Sequence, residues 1–385
     1  MLPPLIQPVA RCDIAIIGAG MAGASLAAEI GGDANVLLIE AEAQPGYHST
    51  GRSAAFWSET YGGPAVQPLT SASGDWLRRS GFLGPRGALH LAAPGGGAAL
   101  DRLAAEFAGR GIRLERMGRA SIASILPGIR RGFDDALAEP SCSDIDVAAL
   151  HAHYLGAARR AGGRLICDAR VIGIERAGPG WRLSTTAGQV EASVIVNSAG
   201  AWATEIAALA GAMPIAITPY RRTVVQLLVE PAAPAELPLV IDAAGRYYFK
   251  PEAGGRIWLS PHDETPAIAS DIAPDDYDVA LAIDRLEQVV DWKIVKREKA
   301  WAGLRSFSPD RAPVYGPDCQ APGFFWFAGQ GGFGIQTAPA AAMIGAAILL
   351  ARELPSAVSS IDIDRYGPSR FQTKYSGCFP NRRIT

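Results

Sequence analysis

The chain has 385 residues, 49% of them hydrophobic and 19% charged, with a formal net charge of −2. That length exceeds the roughly 250–300 residues at which a single core stops growing, and the composition excludes a disordered chain and a broad basic footprint for nucleic acid. Glycine, at 43 residues, stands above the usual ~7% and points to tight turns and close approaches of backbone to a ligand.

Residues 1–11 hold three prolines and no basic region ahead of an apolar run, so no signal peptide is expected. Residues 14–17 form a branched apolar run of the kind buried on both faces of a sheet. It leads into Gly18-Ala19-Gly20-Met21-Ala22-Gly23, a helical pattern over 24–30, and a second apolar run, Val36–Ile39, ending in Glu40 and Ala41. Gly18 permits the tight turn, Gly20 lets backbone reach a pyrophosphate, and Gly23 lets helix and strand pack closely. The helix N-terminus meets phosphate charge with unpaired N–H groups, and Glu40 suits a free 2′-hydroxyl, hence FAD or NAD over NADP. The loop that follows, Gln44 to Ala55, is built of small and hydroxyl residues and fits a second phosphate and ribityl cradle.

Gly18–Gly23, Glu40 and the run 46–55 together resemble the D-amino-acid oxidase-like FAD family, and its D-arginine dehydrogenase branch in particular, over residues ~12 to ~350. The resemblance implies a Rossmann-type FAD-binding domain joined to an antiparallel-sheet substrate domain. It implies FAD contacts from Gly18, Gly20, Ala22, Gly23, Glu40, Ala41 and from Ser49, Thr50, Gly51, Arg52, Ser53, Ala54 and Ala55.

Further along, Asp144 or Asp146 is the expected N-cap of a helix over Val147–Arg160, stopped by Gly162-Gly163. Short strands follow near 164–167, 170–174 and 181–185; the resemblance implies that the strand at Val171 reaches the adenine side of FAD through its backbone. Residues 193–196 read as a buried strand leading to Ala199, Gly200 and Trp202, small residues where open α/β sheets place ligands, and cofactor contact is expected there. Beyond Pro214 the pattern changes to alternation with frequent turns, and strands are expected near 222–228, Leu239–Asp242, 247–250 and 256–259. The expected division is a discontinuous FAD domain (12–80, 142–214, 300–385) and a substrate domain (81–141, 215–299).

The return to the FAD domain brings Arg305 in an apolar strand, then Phe324–Ala328, a third glycine-rich loop carrying Gly331, Gly332, Gly334, Ile335 and Gln336, and an apolar helix. That helix's N-terminus suits negative charge on a reduced flavin ring. Arg305 is the expected bidentate carboxylate clamp, because a planar guanidinium matches that geometry. By resemblance, Tyr248 and Arg222 are carboxylate-side residues, Tyr61 is a lid tyrosine, Gln336 completes the catalytic group, and Phe56, Trp57, Ala88 and Gly332 line the substrate pocket. Two positions depart from the D-arginine pattern: Ala88 stands where an acidic residue would meet a guanidinium, and Phe56 where a histidine would stand. A pocket without a carboxylate cannot compensate a buried cation, so neutral D-amino acids are the expected substrates.

The strand at 257–259 lacks the lysine that the sarcosine-oxidase branch places near the flavin. Residues 305–315 lack the cysteine through which that branch attaches flavin. Non-covalent FAD and a dehydrogenase passing electrons to a quinone, rather than an O2-using oxidase, are the expectation. A FAD-dependent 2-hydroxyacid dehydrogenase and a glycine or sarcosine oxidase remain alternatives; the former wants a base, and no histidine presents itself. The five cysteines (Cys12, Cys142, Cys167, Cys319, Cys378) are odd in number and include no CxxC pair, and His151 and His153 fall on different helix faces, so neither disulfides nor a metal site is expected. The longest apolar helical stretch is too short for the ~20 residues of a membrane span. A cytoplasmic location is expected, with peripheral contact at the inner membrane left open.

Overall fold

A computed structural model describes residues 10–372. Contacts divide this chain into two compact units, residues 10–51, 147–219 and 305–372, and residues 52–146 and 220–304.

The first unit is built on an eight-stranded sheet. At its centre Ala10–Ile17 pairs in parallel with Val36–Ile39 on one side and Gly188–Asn197 on the other. Val36–Ile39 continues in parallel to Arg164–Ile166, and Gly188–Asn197 in parallel to Phe324–Ala328. Antiparallel strands Gly180–Thr185 and Val171–Ala177 extend one edge, and Val314–Pro317 pairs with Phe324–Ala328. Strands covered on both faces read as continuous apolar runs, and Val36–Ile39 and Phe324–Ala328 are buried throughout. The helices Met21–Ile30, Val147–Arg160 and Ala338–Leu349 belong to this unit. Asp144 lies in the strand Ser143–Ile145 instead of capping Val147–Arg160, which leaves Asp146 as the residue before that helix.

In the second unit the sheet order is Lys293–Phe307, Thr218–Glu230, Arg256–Ser260, Tyr248–Glu252, Leu239–Asp242, Ala88–Leu91, Asp135–Glu139 and Glu115–Gly118. Leu239–Asp242 runs parallel to Ala88–Leu91, whereas Arg256–Ser260 pairs antiparallel with Thr218–Glu230 and Tyr248–Glu252, Tyr248–Glu252 with Leu239–Asp242, and Asp135–Glu139 with Ala88–Leu91 and Glu115–Gly118. A three-stranded sheet joins Phe56–Trp57 and Leu83–Pro85 to Ser143–Ile145. The core packs Leu89, Leu91, Val225, Leu227, Phe249 and Leu259 against Val279, Ala282 and Leu286 of the helix Asp276–Val289.

Among the described residues no helix is long and apolar enough to cross a membrane, and no group of side chains could hold a metal ion. Cys12, Cys142, Cys167 and Cys319 form no disulfide; Cys378 lies outside the described residues.

Candidate functional site

The first unit organises its glycine-rich turn from every side. Gly18 has φ +97°, and a Cβ there would lie 2.6 Å from the Ser198 carbonyl oxygen. A Cβ at Gly23 would lie 1.9 Å from the Gly18 oxygen, which is the close helix–strand packing that position requires. At Gly20 such a Cβ would meet, among the described residues beyond its chain neighbours, nothing within 4 Å but Thr50 Oγ1 at 3.2 Å, so the backbone there is left approachable. Thr50 Oγ1 accepts from Met21 N (3.0 Å) at the start of the helix Met21–Ile30, and Ala22 and Gly23 occupy the rest of that first turn.

Both ends of the Ala19 peptide are held. Its N–H donates to Glu40 Oε2 (2.9 Å), and its carbonyl accepts from His151 Nε2 (2.8 Å). Glu40 takes a second N–H, from Glu42, on Oε1 (3.0 Å), with Ala41 between them. Burial pushes the His151 pKa down, outweighing the Ala19 carbonyl and the Glu40 charge, so the ring is neutral and donates through Nε2. The same ring lies 2.8 Å from where a Cβ at Gly46 would stand, and Gly46 has φ +80°. His151 therefore joins the first glycine turn to the second loop. A lone helical histidine gives no sequence signal for this.

Ser49 sits between His48 and Thr50 in that second loop, and Gly51 N closes it on the Gly46 carbonyl (2.8 Å). His48 contacts Glu42 (2.9 Å) and its ring lies 4.7 Å from that of Trp202. At the end of Gly188–Asn197, Asn197 accepts from Ala199 N (3.3 Å) and donates to Ala203 O (2.8 Å), fixing the turn with Gly200 at φ +54°. Ser198 Oγ bonds back to the Ile17 and Gly18 carbonyls (2.8 and 3.0 Å). Val171 opens its strand at a bulge.

The third loop begins where Phe324–Ala328 ends. Gly331 (φ +54°) pairs with Ser306, and a Cβ on it would lie 2.2 Å from the Phe307 ring. Arg305, the residue before Ser306, is 7% exposed, so the buried guanidinium belongs to the strand that carries this loop. Gly332, Gly334 and Ile335 follow, Gln336 is buried, and the helix Ala338–Leu349 starts two residues later.

In the second unit the structure assembles an aromatic group around Arg222. The Phe56 ring lies 5.0 Å from Tyr61 and 5.9 Å from Tyr248, and the His262 ring lies 6.4 Å from Tyr61 and 5.8 Å from Tyr248. Tyr248 also packs with Ala54 and Ala88. Arg222 is 2% exposed and donates to Asp263 O (2.8 Å) and Glu264 Oε1 (3.0 Å). Burial alone would lower its pKa; Tyr61, Tyr248, Glu264 and Asp263 outweigh that and raise it, so the guanidinium stays charged. His262 holds a φ of +55°, unusual for a residue with a side chain, and donates through Nδ1 to Gly245 O (2.6 Å). Sequence reasoning passed over it because nothing in its neighbourhood carries a motif.

Other expected residues have contacts of their own. Trp57 follows Phe56 along one strand and so takes the opposite face; its Nε1 donates to Thr70 O (3.1 Å), and a Cβ at Gly74 would lie 2.6 Å from its ring. Arg52 spends its guanidinium on Asp271, Ile272 O (3.2 Å) and Ala302 O (3.2 Å). Ser53 Oγ accepts from Ala55 N (3.1 Å), and Ala55 has φ +53°.

The second unit is not free of carboxylates. Opposite Ala88 stands Glu139, wholly buried, accepting from Ser58 (3.0 Å), Thr60 (2.6 Å), His90 (3.1 Å) and Glu59 N (2.7 Å). Lys250, opposite Trp258, is buried and tied to Asp144 Oδ1 (3.0 Å).

The family described as FAD dependent oxidoreductase (DAO) matches residues 13–348. Among curated relatives, hydrogen cyanide synthase subunit HcnC of Pseudomonas aeruginosa is 28% identical over 223 residues, covering 57% of this chain and 51% of that protein. Mitochondrial dimethylglycine dehydrogenase of Mus musculus is 27% identical over 253 residues, covering 60% of this chain and 29% of that one. The chain thus spans about half of the length of the first relative and under a third of the second. Among solved structures, glycine oxidase from Geobacillus kaustophilus superposes with a TM-score of 0.80 at 22% identity, covering 96% of this chain and all of that one, a likeness of fold. The unobstructed backbone at Gly20, the helix start behind it and Glu40 at the end of the second strand fit the cofactor named in that family's description. With that match and that cradle, the chain belongs to the DAO family of FAD-dependent oxidoreductases, and FAD is its cofactor.

Proposed function

We propose that the chain is a dehydrogenase of amino acids, preferring D-enantiomers with neutral, apolar or aromatic side chains. A hydride leaves Cα, a proton leaves the amine, and water hydrolyses the resulting imino acid. When bound, FAD supplies the two-electron acceptor for the hydride. In this reading the first unit is the FAD domain, held through the residues around Gly18–Gly23, Glu40, Ser49–Gly51, Val171, Ala199–Trp202 and Gly331–Gln336, and the second unit binds substrate. The observation that carries the reading is Arg305: a buried guanidinium one residue before the pairing with Gly331. A planar guanidinium fork suits a carboxylate. Tyr61 and Tyr248 take the carboxylate side, Arg222 beside them is occupied by Glu264, and Phe56 and Ala88 wall the side chain. Nearness to the D-arginine dehydrogenase branch rests on Arg222, Tyr248 and Arg305 occurring together, while Ala88 argues against an arginine substrate.

Support for a dehydrogenase over an oxidase comes from the strand Arg256–Ser260, which carries no lysine, and from Lys250 on the neighbouring strand, already committed to Asp144. Non-covalent attachment follows from the lack of cysteine at 305–315. A second reading, oxidation of glycine or an N-methylated glycine, is favoured by the likeness to dimethylglycine dehydrogenase. Steady-state rates with a quinone or dye acceptor across D- and L-amino acids, glycine, dimethylglycine and 2-hydroxy acids decide among them. Turnover led by neutral D-amino acids, with little peroxide, is expected. A preference for glycine derivatives, or rates that match peroxide release, overturns the first reading.

A further inference from the structure

Glu264 stands on a segment fixed far more firmly than an exposed turn requires. On one side, Asp263 accepts from Thr223 N (2.7 Å) and Thr223 Oγ1 (3.0 Å), and Thr223 is fully buried. On the other, Thr265 pairs with Arg221 in the ladder of Thr218–Glu230. Just before it, His262 is held at φ +55° by bonds from its amide to Ser260 Oγ (3.1 Å) and from its ring to Gly245 O (2.6 Å). Non-glycine residues keep such a conformation only when their surroundings over-determine it. What this frame presents is a carboxylate, 36% exposed, bonded to a guanidinium that is 2% exposed. Arg221, next in the chain, pairs with Asp278 and Asp275 and lies 3.8 Å from Asp263 Oδ2.

We propose that Glu264 is a specificity-determining residue: by occupying Arg222 it makes this part of the site electrically neutral, so that substrates with a second carboxylate are rejected. The proposal rests on the reading that the group around Arg222 faces substrate. A neutral pair leaves neither an anionic nor a cationic side chain an uncompensated partner, while the rings of Phe56, Tyr61 and Tyr248 still welcome apolar ones. Removing the charge of Glu264 leaves Arg222 buried and charged with its bonded carboxylate gone, while Asp263 offers it a backbone oxygen and keeps its own carboxylate on Thr223, so a second carboxylate can take the place Glu264 held.

The test compares FAD-loaded wild type with Glu264→Gln and with Glu264→Asp, which keeps the charge. Each is assayed with D-alanine, D-phenylalanine, D-aspartate and D-glutamate, and titrated calorimetrically with malonate and acetate. Glu264→Gln is expected to raise the kcat/KM ratio of D-aspartate to D-alanine by about tenfold or more, mainly through KM, and to tighten malonate by a similar factor. Adding Arg222→Met to that variant is expected to cancel both gains, and Glu264→Asp to leave the ratio near wild type. Should Glu264→Gln melt early, Glu264→Ser removes the same charge and is read the same way. An unchanged ratio with unchanged malonate affinity, in a variant that melts like wild type, overturns the proposal. If wild type oxidises no amino acid, the functional reading fails, and the malonate titration alone still decides whether Glu264 shields Arg222.

Discussion

At the scale of single residues, buried charges and what each holds decide the behaviour of the site. Arg305→Met is expected to lower kcat/KM by at least about 30-fold, since losing one partner of a buried charge pair costs ~2–5 kcal/mol. Measurement with a single D-amino acid, alongside a melting curve, checks it. Glu139 offers a stability test away from the chemistry. Burial pushes its pKa up, but the His90 bond and charge, the Thr60 hydroxyl and the Glu59 amide together hold it below its ordinary 4.5. A depressed carboxylate stabilises the fold above its unfolded-state pKa, and that contribution is lost as the pH falls below about 4.5. Glu139→Gln is expected to cost ~1–3 kcal/mol at neutral pH by leaving donors unmatched, and to flatten the stability loss on acidification, read from denaturant midpoints. His151 titrates differently. Its depressed pKa means that the unfolded chain binds the proton more readily, so stability declines as the pH drops below 6.5. His151→Phe is expected to remove that slope and to weaken FAD retention, measured by dialysis and absorbance, because Ala19 loses its donor.

At the scale of elements, the first strand–turn–helix unit was fully legible: the apolar run, three spaced glycines and a terminal Glu40 each have one physical job. Gly23→Ala tests that unit, since its methyl would meet a backbone oxygen at 1.9 Å and nothing there can yield cheaply. A cost at or above the upper end of ~1–3 kcal/mol, with loss of bound FAD, is expected from thermal melts. Other elements left fainter marks. The helix Asp276–Val289 announces itself only through the Asp275 cap, which accepts from Tyr277 N (2.9 Å), and through Val279, Ala282, Leu286 and Val289 at helical spacing. The strands Phe56–Trp57, Leu83–Pro85 and Ser143–Ile145 are two or three residues long, too short for alternation to register. Such brevity also hid the division between Phe56 and Trp57, which only the pleat reveals. The ion pair of Arg222 with Glu264 joins positions 42 apart in the chain, and no local pattern encodes it.

At the scale of the whole molecule, the parallel centre of the first sheet and the largely antiparallel second sheet follow from where continuous apolar runs give way to alternation near residue 214, although the parallel pairing of Leu239–Asp242 with Ala88–Leu91 depends on long-range register that alternation does not carry. Because FAD binds only the folded first unit in this account, added FAD is expected to raise the melting temperature in a concentration-dependent way, and Gly23→Ala to abolish that rise. The central claim joins the cofactor to a carboxylate anchor. Anaerobic titration of the FAD-loaded chain with D-alanine and D-phenylalanine, in wild type and in Arg305→Met, tests it most directly. The yellow flavin absorbance of wild type is expected to bleach fully at low amino-acid concentration, and that of Arg305→Met only at concentrations at least about 30-fold higher. Equal bleaching of the two proteins, or none in wild type, would contradict it.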